Sequence, residues 1–227
     1  MGRLYVSFQR TAQAERSETQ PASYGASPVA AAPPHLAADV LVPVHEDEAL
    51  WLGLEPVEAG APVALRVEVT APEQLDAVTG QPPAGDMRRA PQNYLVCPPQ
   101  RAMDGVQHGP HRARQFVRRA RSEAFQEVTS LRLTTIPGQS RKPLPGAAAP
   151  RPLRAPLDAR SRSSDGASIG VPQTIAPDPY QPAEWKLTDA ASATVLLVDP
   201  GTWSDLTGRP APPPRTDDDR YRGWRLP

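Results

Sequence analysis

Val63-Ala64-Leu65-Arg66-Val67-Glu68-Val69-Thr70 is the stretch that decides how the chain folds. Val63, Leu65, Val67 and Val69 alternate with Ala64, Arg66, Glu68 and Thr70. A strand turns successive side chains to opposite faces, so this spacing predicts a strand with one buried face and one wet face. Downstream, Pro72 opens a segment that Thr79-Gly80 closes. Proline first and glycine last predict a short helical turn. Upstream, Val40-Leu41-Val42-Pro43-Val44 is an apolar run broken by proline, which predicts an edge strand. Residues 50–54 form a second short apolar run.

The same unit returns 128 residues later. Val195 stands for Val67, Pro200 for Pro72, Thr207-Gly208 for Thr79-Gly80 and Pro210 for Pro82. Trp51 and Trp185 head the two segments, with six residues inserted in the first. This self-similarity predicts an internal repeat of strand, turn and helix. Val195-Leu196-Leu197-Val198 is apolar without alternation, so the second copy is expected to be covered on both faces.

The resulting expectation is a mainly β, sandwich-like fold with a few short helices. Residues 9–36 are polar and then rich in Ala and Pro without a period. The segment 1–36 is therefore expected to be largely disordered, apart from a short strand at residues 4–8. Residues 37–136 form the first β-rich half. Residues 137–170, rich in Pro, Arg and Ser, form a long disordered linker. Residues 171–227 form a second β-rich half that packs on the first, because a duplicated unit seldom buries its apolar face alone.

Thirty of the 227 residues are proline and only 5% are aromatic, which leaves a modest core. A single cysteine, Cys97, forms no internal disulfide and fits a reducing compartment. No apolar run approaches the roughly 18 residues of a membrane span, and the first residues lack the apolar core of a secretory leader. A cytoplasmic protein without a membrane role is expected. The formal charge of zero hides a pattern: residues 1–100 carry 6 basic and 12 acidic groups, residues 101–162 carry 13 and 4. The basic middle would suit an anionic partner such as nucleic acid. It would equally suit the chain's own acidic segments.

Few constellations point to chemistry. His45-Glu46-Asp47-Glu48 begins like a zinc-protease helix, but position 49 is alanine and the second ligand is missing. Cys97, Asp104, His108 and His111 have the donor types of a zinc site, at loose spacing. The same thiol beside a histidine would also suit a cysteine-using hydrolase. Against both stands the place of Cys97 at the end of Tyr94-Leu95-Val96, where a packing role is expected. Arg112, Arg114, Arg118, Arg119 and Arg121 surround Phe116, Val117, Ala120 and Ala124, which as a helix would form a weak apolar stripe.

Several blocks carry a resemblance. Tyr94-Leu95-Val96-Cys97-Pro98-Pro99-Gln100, Asp104-Gly105 and Arg114-Gln115-Phe116-Val117 resemble a microbial protein family of uncharacterised function. Ile175-Ala176-Pro177-Asp178-Pro179-Tyr180, Trp185, and Trp203 before Leu206-Thr207-Gly208 extend it. The family's blocks are V-x-P-x-Q…D-G, R-Q-F-V, P-D-P-Y and W-x-x-L-T-G. The chain departs from the pattern at Ala102-Met103, where the family has Trp-Leu, and over residues 118–156, where an M-P-L-G segment is missing. The resemblance implies a β-rich fold and no activity.

On this reading the protein is a non-enzymatic binding or structural module that recognises another macromolecule, with a protein as the expected partner and no cofactor. The alternatives are a metal-dependent or cysteine-using hydrolase centred on Cys97, His108 and His111, and nucleic-acid binding through the five arginines.

Overall fold

A computed structural model describes residues 4–214, apart from 18, 20, 59–60, 72, 86–90, 140–168 and 181. The chain opens with β1 (Leu4–Ala12), β2 (Ser23–Ala26), β3 (Ala30–Ala31), β4 (Val40–Pro43) and β5 (Glu48–Pro56). Next come β6 (Val63–Ala71), β7 (Glu73–Asp76), β8 (Leu95–Cys97), β9 (Ala102–Met103) and β10 (Gly105–Gln107). The remaining strands are β11 (Arg112–Val117), β12 (Phe125–Glu127), β13 (Ser130–Pro137), β14 (Val171–Pro172) and β15 (Ala191–Val198); two short 3-10 turns (Pro182–Glu184 and Leu187–Asp189) precede β15, and the helix α1 (Pro200–Thr207) follows it.

These strands make two sheets. The first runs β10-β11-β5-β1-β2, with β9 on β5 and with β12 and β14 on β11. The second runs β3-β4-β15-β13-β6-β7, with β8 on β6. Phe8, Leu50, Leu52, Leu54, Val106 and Phe116 of the first share one apolar cluster with Leu65, Val67, Val69, Leu131, Leu133, Val195 and Leu197 of the second. The fold is a β-sandwich, mainly β as expected.

The alternation of β6 is realised: Leu65, Val67 and Val69 are buried in the core, while Arg66 and Glu68 face outward and pair at 3.1 Å. Its neighbour β13 alternates likewise, with Leu131 and Leu133 inward and Arg132 exposed. β15 lies between β13, antiparallel, and β4, parallel. Val195 and Leu197 enter the sandwich core, while Leu196 lies with Leu41 and Val198 in a cluster under Trp203 of α1. Segments 37–136 and 171–227 therefore contribute strands to the same sheet.

Four local expectations are corrected. Residues 9–36, read as largely disordered, supply the end of β1 together with β2 and β3. Their polar groups find partners outside and inside the segment: Arg10 pairs with Glu48, and the Thr11 hydroxyl donates to the carbonyl of Ala22 at 2.9 Å. β4 is not an edge strand, because β3 pairs with Val40 and Leu41. Pro43, which lacks an N–H, falls beyond that contact. The segment after β6 is a strand and a tight turn rather than a helix. Asp76 Oδ1 accepts the amides of Val78 and Thr79 and reverses the chain, and Gly80, at φ +67°, closes the turn against the carbonyl of Gln107. After β15 the corresponding segment is the helix α1, capped by Asp199 and ended at Gly208, so the two copies diverge beyond their strands. Residues 112–117 are β11, drawn into the first sheet between β10 and β5, and are not helical. Most of the proposed linker, residues 140–168, lies outside the described residues.

Candidate functional site

The nominated metal and thiol residues are dispersed. Cys97 is fully buried on β8, in the second sheet, paired in register with Val63. Burial pushes its thiol up to about 11, the opposite of an activated nucleophile. Asp104 lies between β9 and β10, where its backbone amide donates to Gln173 Oε1 at 2.6 Å. His108 and His111 are exposed in the β10–β11 turn. Among the described residues no group of three or more His, Cys, Asp or Glu is placed to hold a metal ion.

The arginines are also spread. Arg112 donates to the carbonyl of Ser17 at 2.7 Å. Arg118 and Arg119 turn to Glu46, at 3.1 and 3.9 Å, in the acidic connection between β4 and β5. Two of the five arginines thus meet one acidic group of the chain itself, and Arg121 is exposed.

Residues of the resemblance blocks, together with Gln92 and Gln173, build a brace for residues 173–180 and Trp185. Pro172, Pro177 and Pro179 bring no N–H to a ladder, and the chain between them joins no sheet. Side-chain amides take the place of a neighbouring strand. Gln100 accepts the Ala176 amide at 2.9 Å and donates to the Thr174 carbonyl at 3.3 Å. Gln92 accepts the Asp178 amide at 2.9 Å and donates to the Ala176 carbonyl at 3.1 Å. Gln173 accepts the amides of Asp104 and Gly105. At the end of the brace, Asp178 Oδ2 receives the Tyr94 hydroxyl at 2.6 Å and the Trp185 indole at 2.8 Å. Tyr94 and Tyr180 meet Trp185 edge to face. Burial, then Asp178, pushes the Tyr94 phenol far above its usual value.

Two other places on the sandwich stand out. One is the end where β4 passes into β5. Arg10, 5% exposed, makes a two-point pair with Glu48, 1% exposed, at 2.7 and 2.5 Å. His45 and Arg10 both reach residues 210–214, which follow α1. The other is the free flank of β1. β5 pairs with all of β1, from Leu4 opposite Pro56 to Ala12 opposite Glu48. β2 covers only Gln9, Arg10 and Thr11 on the far side. Among the described residues no strand pairs with residues 4–7 on that flank. Tyr5 is 62% exposed there, and Val57, one residue beyond the partner of Leu4, is 57% exposed.

Neither place was singled out in the sequence. The Arg10–Glu48 pair joins residues 38 apart and is fixed by the β1–β5 register. The signal for the open flank was the uncharged run Leu4-Tyr5-Val6-Ser7-Phe8. No family model, no curated protein and no solved structure matches the chain.

Proposed function

We propose that the protein is a non-enzymatic binding or structural module that recognises another protein by strand addition at residues 4–7. The observation that carries this reading is the flank of β1 that no strand covers among the described residues, with Tyr5 exposed beside it. Soluble folds blunt such edges with charge, proline or a bulge. Residues 4–8 carry none of these, and the irregularity in β1 comes later, between Arg10 and Thr11. An extended partner strand would gain main-chain hydrogen bonds along this edge, with Tyr5 as an aromatic anchor.

The test places a photo-cross-linking residue at Tyr5 and, as control, at Val29, which is 45% exposed elsewhere. A protein adduct formed from position 5 and not from 29, and lost on competition with a Tyr5→Lys chain no better than with buffer, supports the reading. Equal adducts from both positions, or full competition by Tyr5→Lys, overturn it.

A further inference from the structure

The run Arg209-Pro210-Ala211-Pro212-Pro213-Pro214 leaves α1 and crosses the sandwich end where β4 passes into β5. Four of its six residues are proline, so it offers carbonyl acceptors and almost no donors. The surface beneath has the complementary chemistry. His45 Nε2 meets the Pro212 carbonyl at 2.7 Å, and Arg10 Nη2 donates to the Pro213 carbonyl at 2.7 Å. Arg10 is held from below by both oxygens of Glu48, so its outward donor has a fixed direction. Beside these donors Ala211, like Leu36 and Leu206, packs against the cluster of Leu41, Val198 and Trp203.

Fixed donors next to an apolar shelf with a buried tryptophan make a reading frame for an extended proline-rich chain. Such a chain is stiff before it binds and gives up little entropy on docking. We propose that this end of the sandwich is a recognition site for proline-rich extended peptides of other proteins, with residues 210–214 as its tethered occupant. The tether helps to keep the site filled: linkage raises the occupant's effective concentration to about the millimolar range. A proline-rich run on a partner competes for the same carbonyl positions. The site lies at the opposite end of β1 from Tyr5, so each proposal stands without the other.

The probe is a labelled, end-capped peptide of residues 209–214, titrated by fluorescence anisotropy into two full-length chains. One is the native protein; the other has residues 210–214 replaced by Gly-Ser-Gly-Ser-Gly. The replaced chain is expected to bind saturably and at least about tenfold more tightly than the native one, in line with loss of the tethered competitor. Its Tm should rise with peptide concentration. Adding His45→Ala to the replaced chain should weaken binding, as should alanine at the peptide positions of Pro212 and Pro213. No binding to a replaced chain that still melts cooperatively overturns the proposal. If the replacement abolishes the cooperative melt, the chain carrying Pro212→Gly and Pro213→Gly takes its place. Equal peptide affinity for that chain and the native one overturns the proposal too.

Discussion

Cys97 shows how a single buried group sets behaviour in solution. Its thiol keeps its proton up to about pH 11 in the folded chain, against an ordinary value of 9.0, because burial disfavours the thiolate. A folded state that binds the proton more tightly than the unfolded state loses stability as pH rises between those values. The melting temperature should therefore fall from pH 9 to pH 11, less steeply in Cys97→Ala than in the native chain. Cys97→Ala should itself cost about 1 kcal/mol, a typical loss for a small buried side chain. Iodoacetamide at pH 8 should label the thiol only after denaturation; rapid labelling of the native protein would show that the site opens. Gly105 is constrained differently. A Cβ there would lie 1.9 Å from the Arg114 carbonyl on β11, so Gly105→Ala should destabilise by about 2–4 kcal/mol in urea melts, as overpacking against backbone does.

At the level of elements, the brace over residues 173–180 behaves as a strand substitute whose hydrogen bonds come from glutamines. Gln100→Ala leaves the Ala176 amide and the Thr174 carbonyl without that partner, and should cost about 1 kcal/mol while leaving β6 and β13 intact. Hydrogen exchange that speeds up at Ala176 but not at Val67 would be the signature. The alternation of Val63 to Val69 made β6 legible because both faces of a strand are written in its own residues. β13 carries a weaker form of that signal, because only Leu131 and Leu133 alternate, while Ile136 falls out of phase and packs with Tyr94 and Trp185 on the other face. α1 and the Asp76 turn share a strand and a glycine in sequence. Asp199 captures the Thr202 amide and starts a helix, whereas Asp76 captures Val78 and Thr79 after β7 has already paired with β6. The choice depends on pairing that no local pattern encodes. The same holds for order in residues 9–36, which rests on Glu48 and other groups far along the chain.

For the whole molecule, the decisive feature is that β15 sits between β4 and β13. Residues 1–136 expressed alone would leave Val42, Leu131 and Leu133 without the strand that lies between their own. They should give no cooperative thermal transition, and adding residues 171–227 should restore β circular dichroism. A sharp melt for either fragment alone would show separable domains. The candidate sites were legible only in part for the same reason: Tyr5, Arg10 and His45 acquire neighbours through sheet register, and neither composition nor spacing carries register. The position of β15 also bears on how the chain is made. Synthesis proceeds from the N-terminus, so β4 and β13 emerge with the slot between them vacant, and most of the chain leaves the ribosome before the strand that fills it. During that interval the apolar residues of β4 and β13 lack the strand that covers them in the finished sheet, and unpaired strands of this kind favour aggregation. Slowing translation between β13 and β15 should lower the soluble yield, whereas slowing it after residue 208 should not.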